Sequence, residues 1–225
     1  MLPGRLNGAA WAGLRIGLLG GSFNPAHSGH RHISLLALRL LDLDQIWWLV
    51  SPQNPLKARA GMAAFPARLA GARAAARHPR ILVSDVESVL GTRFTSDTLS
   101  VLTRRFPRTD FVWLMGADNL GQIHHWQHWR SIFETVPIAV FDRPPYRFRM
   151  LSTPAARAYR AYRLNPARAR ALAGHPPPAW TFFAGRLDPM SSTALRGQGN
   201  GPAAVADRPR TSYVQFENRH ARSAP

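Results

Sequence analysis

The chain has 225 residues, 45% of them hydrophobic, and carries 29 Lys plus Arg against 12 Asp plus Glu, a formal net charge of +17. That length suits a single well-buried domain, and no uninterrupted apolar run of about 18 residues is present to suggest a transmembrane span. There is no cysteine, which excludes disulfides and thiolate metal sites and is compatible with a reducing cytoplasm.

Residues 1–13 read as a flexible N-terminal segment without the long apolar region of a secretory signal. From Leu14 onward, strand and helix patterns alternate. The apolar run Leu14–Leu19 predicts a first strand, and a helix follows over about Gly29–Leu41. Gln45–Val50 predicts a second strand that ends at Ser51-Pro52. Pro66 opens an Ala- and Arg-rich helix reaching about Arg77, and Ile81–Ser84 reads as a third strand. Thr95–Arg105 is helical, and Phe111–Met115 predicts a fully buried strand. A short helix at Trp129–Thr135 precedes a strand at Ile138–Phe141. Pro154–Arg170 reads as a helix that Pro166 interrupts. Trp180–Phe183, after the Pro-rich linker Gly174–Ala179, is the last strand. This order implies parallel βαβ units: an α/β fold with an open parallel sheet and helices on both faces, confined to residues 14–196. Residues 197–225 are rich in Gly, Ala, Pro and Arg with little apolar periodicity, and predict a partly disordered tail.

The most informative stretch runs from Gly20 to His30. An apolar strand meets paired glycines, which let a backbone turn sharply and approach a ligand. Two histidines three residues apart then stand where a helix begins, so His27 and His30 share a face of its first turn. That turn carries unpaired N–H groups and the positive end of the helix dipole. Together these features predict a nucleotide phosphate site at the carboxyl end of the first strand. Zinc is the alternative for paired histidines, but no carboxylate follows at ligand spacing, and no metal-ligand set is assigned.

Other groups fall at expected strand ends. Ser192 and Thr193 open a late helical turn, and Arg196, three residues beyond Thr193, returns a phosphate-binding guanidinium to the same face. Lys57, the only lysine in the chain, offers a compact point charge in the loop after the second strand. Asp118, beyond the fourth strand, suits ribose hydroxyls. The turn at Thr95 presents backbone N–H groups and a hydroxyl, and Trp126 offers a flat stacking surface. The remaining basic residues are scattered arginines without a continuous stripe, so specific nucleic-acid binding is not expected, although the charge favours attraction of polyanionic nucleotides. No membrane partner is expected, and the oligomeric state is left open.

Gly20-Gly21-Ser22-Phe23-Asn24-Pro25-Ala26-His27-Ser28-Gly29-His30 resembles the signature of the nucleotidylyltransferase superfamily, with wording closest to the nicotinate-nucleotide adenylyltransferases. Class I aminoacyl-tRNA synthetases share a related His-x-Gly-His motif. Ser191-Ser192-Thr193-Ala194-Leu195-Arg196 is similar to the family's late Ser-Ser-Thr-x-x-Arg motif. The resemblance implies a Rossmann-like fold and, as activity, joining of ATP to nicotinate mononucleotide to give deamido-NAD and pyrophosphate, with Mg²⁺ accompanying ATP. It implies ATP contacts from Gly20, Gly21, Ser22, Phe23, His27, His30, Gly116, Asp118, Ser192, Thr193 and Arg196. It implies contacts to the mononucleotide from Asn54, Lys57, Thr95, Trp126 and Arg143. Catalysis is expected from His27, His30, Lys57 and Arg196. Three positions depart from the pattern: Leu56 replaces a common His, Phe94 replaces Tyr, and Pro145 replaces Gly. Two other readings stand beside this one. A phosphopantetheine adenylyltransferase would usually carry Thr where this chain has His27, and a non-catalytic nucleic-acid-binding module would rest on charge alone.

Overall fold

The computed structural model describes residues 8–52, 61–142, 149–184 and 213–214. The apolar runs become strands β1 (Arg15–Gly21), β2 (Gln45–Val50), β3 (Ile81–Ser84), β4 (Asp110–Gly116), β5 (Ile138–Phe141) and β6 (Trp180–Phe183), joined by a two-residue β7 (Tyr213–Val214). All pair in parallel, in the order β6-β5-β4-β1-β2-β3-β7. β7 comes from the segment beyond residue 196, and its two residues pair with Val83 and Ser84. The helices are α1 (Ser28–Leu40), α2 (Phe65–Ala76), α3 (Val86–Leu90), α4 (Thr95–Arg105), α5 (Ala117–Gln122), α6 (Trp129–Thr135) and α7 (Pro154–Ala158).

The two-residue period of a strand sends neighbouring side chains to opposite faces. Ile16 and Leu18 of β1, Trp47 of β2, and Phe111, Trp113 and Met115 of β4 therefore join one buried cluster, with Leu99 and Leu102 of α4 and Phe133 of α6. Leu19, Trp48, Val112 and Leu114 join the other, with Ile33, Ala37 and Leu38 of α1 and Ala72 and Ala76 of α2. Because both faces are covered, the strands read as continuous apolar runs. Adjacent tryptophans part company in this way. Trp47 meets Trp11 edge-on at 5.0 Å, while Trp48 donates its indole N–H to Ser34 Oγ at 2.8 Å.

Three expectations change. Residues 8–13, expected within a flexible segment, join the body. Gly8–Trp11 forms a 3-10 turn, Trp11 is buried, and its carbonyl accepts from Thr109 Oγ1 at 2.8 Å. The helix expected over Pro154–Arg170 stops at Ala158 and continues as 3-10 turns at Arg160–Tyr162 and Pro166–Ala171. The cause is the neighbouring strand: Leu164 N–H donates to the Trp180 carbonyl at 2.7 Å, and Arg163 bridges to Trp180. Asn165, preceding a proline, is extended, as prolines require of their predecessors. Lastly, the paired glycines do not make the sharp turn, because β1 runs through Gly21. Gly20 is small because Trp113 of β4 lies across it, and a Cβ there would run into that ring, 3.1 Å from its Cζ2.

β1, β2 and β3 are laid down in one direction and β4, β5 and β6 in the other, so the topological switch falls between β1 and β4. The crevice above their carboxyl ends is the position where open α/β sheets bind ligands. Because the indole of Trp113 is rigid and buried, Gly20→Ala is expected to destabilise the chain by about 1–3 kcal/mol, the usual cost of overpacking, measured as a lowered urea midpoint with an unchanged slope.

Candidate active site

The chain leaving β1 turns at Phe23, a non-glycine residue in the left-handed region (φ +46°). That conformation is unfavourable for an aromatic residue. It is sustained by burial of the ring, which stacks on Trp48 at 5.0 Å and packs on His30 at 4.7 Å. α1 then begins in an unusual way. His27 is its N-cap, with extended backbone, and its Nδ1 accepts the N–H of Gly29 at 3.1 Å. His30, three residues on, reaches back so that its own Nδ1 accepts the His27 N–H at 3.2 Å. Two imidazoles thus play the parts of Ser and Glu in a reciprocal capping box, with ring centroids 3.9 Å apart. The expectation that the two share one face of the first turn holds. An imidazole that accepts at Nδ1 carries its proton on Nε2, so both rings are fixed as Nε2–H donors at the switch point.

A buried arginine holds the surrounding loops. Arg68 of α2 is 3% exposed and donates to four carbonyls: Ser22 at 2.6 Å, Ser51 and Pro52 at 2.7 Å each, and Ala63 at 3.0 Å. It thereby ties the exits of β1 and β2 to the entry of α2, and burial lowers its pKa from the ordinary guanidinium value. Asn24 adds a second tie, donating to Gly61 O at 3.1 Å and accepting from Ala63 N–H at 3.2 Å.

The exit of β4 supplies the other rim. Gly116 closes the strand and Asp118 lies in the first turn of α5. Asp118 Oδ1 occupies the space a Cβ on Gly116 would need, so the glycine lets the carboxylate fold back over the strand end. Thr95 is the first residue of α4. Trp126 follows the short turn Ile123–His125. It is half-buried against the core, and its indole N–H has no hydrogen-bond partner among the described residues. Trp129 packs on Phe133 and Tyr159. Gly20, Gly21, Ser22, Phe23, His27, His30, Gly116, Asp118, Thr95 and Trp126 therefore all lie at strand exits or in the segments just beyond them. Asn54, Lys57, Arg143, Ser192, Thr193 and Arg196 lie outside the described residues. Among the described residues no three of His, Asp and Glu form a group that could hold a metal.

Glu87 of α3 belongs to this region and was not anticipated from the sequence. Burial pushes its carboxyl pKa up from 4.5 to about 7, against the opposing pull of hydrogen bonds from the Ser51 and Thr98 side chains. Arg68 was missed as well, since one arginine in an Ala-rich helix is indistinguishable by pattern from the many exposed ones.

A family model described as cytidylyltransferase-like matches residues 18–198. The chain is 55% identical over 187 residues to a protein of Parvibaculum lavamentivorans, covering 83% of this chain and 93% of that one. It is 56% identical over 183 residues to one of Bradyrhizobium sp., covering 81% and 95%. Both carry the name "Probable nicotinate-nucleotide adenylyltransferase". Among solved structures, the Plasmodium falciparum nicotinic acid mononucleotide adenylyltransferase complexed with NaAD has the same fold, with a TM-score of 0.62 at 17% identity, covering 81% of this chain and 82% of that one.

The raised Glu87 pKa has a consequence for stability. Between about pH 4.5 and 7 the folded chain holds a proton that the unfolded chain releases, so the Glu87 contribution falls as pH rises through this window and is level above it. The stability difference between wild type and Glu87→Gln, from urea unfolding at a series of pH values, is expected to shift against wild type by about 3 kcal/mol from pH 4.5 to 7. A difference that does not change with pH would contradict the assignment.

Proposed function

The chain belongs to the cytidylyltransferase-like superfamily and, within it, to the nicotinate-nucleotide adenylyltransferases, and from that premise we propose how its residues transfer the adenylyl group of ATP to nicotinate mononucleotide. The observation that carries this reading is the pair of Nδ1-anchored histidines at the β1–β4 switch, in a chain similar to its named relatives over nearly their full length. The 5′-phosphate of the mononucleotide attacks the α-phosphorus of ATP. A new P–O bond forms on the side opposite the leaving group, the bond from the α-phosphorus to the bridging oxygen breaks, and pyrophosphate departs with its electrons. The nucleophile is already an anion, so no general base and no protein nucleophile is needed.

What the protein must supply is position and charge compensation. In this proposal His27 and His30 donate through Nε2–H to the phosphates of ATP, aided by the positive end of α1. Gly20, Gly21, Ser22 and Phe23 form the wall along which those phosphates lie. Lys57 and Arg196 complete the positive charge around the α-phosphate and the leaving group, with Ser192 and Thr193 as further donors. Gly116 and Asp118 receive the ATP ribose. Asn54 and Lys57 meet the phosphate of the mononucleotide, and Thr95, Trp126 and Arg143 its pyridine end. Mg²⁺ enters with ATP as part of the substrate and offsets phosphate charge, keeping several of its own waters. The reaction's cytoplasmic setting is part of the same proposal, since both substrates are intracellular nucleotides.

Pyrophosphate release measured with ATP, Mg²⁺ and nicotinate mononucleotide tests this reading. Release that needs the mononucleotide is expected, with His30→Ala lowering kcat by about 10²–10³, the loss typical of one electrostatic donor. In this proposal the N–H groups at the start of α4 pair with the pyridine carboxylate, and equal kcat/KM for nicotinate and nicotinamide mononucleotides would count against that pairing.

A further inference from the structure

The chain between β2 and α2 is fastened near both of its ends to the exit of β1, and adenylyl transfer as derived above gives the two fastening side chains no part. At its start, the carbonyls of Ser51 and Pro52 accept from Arg68 at 2.7 Å each. Near its end, the Ala63 carbonyl accepts from Arg68 Nε at 3.0 Å. There the Asn24 amide also donates to the Gly61 carbonyl at 3.1 Å and accepts the Ala63 N–H at 3.2 Å. Both side chains refer these ends to one place. Asn24 stands between β1 and α1, and the buried Arg68 donates to Ser22 O at 2.6 Å in that same connection.

Each group suits its part. An amide carries a donor and an acceptor side by side, and one orientation of Asn24 satisfies both the Gly61 carbonyl and the Ala63 N–H. A guanidinium directs several donors in one plane, so Arg68 meets both ends of the connection at once. The consequence is entropic, since a segment with both ends fixed samples far fewer conformations than one fixed at a single end. Residues 53–60, between the fastened ends, include Asn54 and Lys57, which are proposed above to meet the mononucleotide phosphate. Ser22 and His27, on either side of Asn24, belong to the proposed ATP phosphate site. The two side chains therefore link the segment assigned to one phosphate to the segment assigned to the other.

We propose that Asn24 and Arg68 are positioning residues for the acceptor nucleotide, clamping the base of segment 53–60 to the exit of β1 so that Asn54 and Lys57 act from a fixed origin beside the ATP phosphates. This rests on the adenylyl-transfer reading.

The test takes two readouts from the full chain, for wild type, Asn24→Ala and Arg68→Gln. The first is proteolysis. Lys57 is the only lysine, so a lysine-specific endoproteinase has a single site and yields fragments 1–57 and 58–225. Without nucleotide, Asn24→Ala is expected to be cut about fivefold faster than wild type, at a rate that stays level in low urea because the opening is local. The second is steady-state pyrophosphate release with ATP and nicotinate mononucleotide varied in turn. Asn24→Ala is expected to raise the KM for the mononucleotide about tenfold and leave that for ATP within about twofold, because the loss concerns one substrate. Arg68→Gln moves cleavage and the mononucleotide KM in the same directions; should it fail to fold, Asn24→Ala decides. Cleavage of Asn24→Ala at the wild-type rate, cleavage that climbs steeply from the lowest urea, or an equal rise in both KM values overturns the proposal. Wild type releasing no pyrophosphate with the mononucleotide would instead remove the adenylyl-transfer reading, and the acceptor role with it, while cleavage after Lys57 still reports whether the clamp holds.

Discussion

The site depends on how α1 begins. A helix leaves its first N–H groups without intrahelical partners, and short polar side chains ordinarily satisfy them. Here two imidazoles do so, each accepting at Nδ1 from a main-chain N–H. Capping and chemistry then become one constraint, since the bonds that start the helix also assign the proton on each ring to Nε2. The same rings are held from behind by packing. Phe23 lies against His30 and Trp48, and the Trp48 indole donates to Ser34, whose hydroxyl donates to the His30 carbonyl at 2.8 Å. The proposed phosphate donors, the helix cap and the hydrophobic core are thus one connected set, a form of preorganisation that would cost no rearrangement as charge develops on a phosphate.

A second constraint holds the loops around that helix. Segments that leave a parallel sheet at the same edge soon run out of backbone pairing, so side chains must join them. Arg68 does this through four carbonyl acceptors. A planar guanidinium presents several donors in fixed directions, which a flexible ammonium does not, and this makes one side chain sufficient to hold three segments. Farther along the edge, Asp118 folds over Gly116 and Glu87 is buried in α3. The guanidinium thus serves as a strut within the crevice floor.

The fold was largely legible because its signals are short-range. Gln45–Val50, Ile81–Ser84, Ile138–Phe141 and Trp180–Phe183 are strands at the residues where their apolar runs predicted them, and Thr95–Arg105 and Trp129–Thr135 are helices within the same limits. Misreadings arose where a distant segment decides the local structure. Gly20 looks like a turn residue, yet it answers to a tryptophan on β4 that sequence separation conceals. The stretch after Ala158 has helical composition, but pairing with Trp180 draws it off the helical path. The histidine pair was legible from spacing alone. Its reciprocal cap was not, because histidine is not a usual capping residue. Arg68 and Glu87 escaped because burial, and not residue type, gives them their roles.

If the cap determines the chemistry, the tautomers of His27 and His30 are its most direct signature. Two-bond proton–nitrogen correlation spectroscopy of the ¹⁵N-labelled histidines, with and without Mg²⁺ and ATP, reads them. The account predicts Nε2–H tautomers for both rings in the free protein, with Nε2 resonances that shift when the nucleotide binds. A proton on Nδ1 of either ring, or Nε2 resonances unmoved at saturating nucleotide, would contradict it.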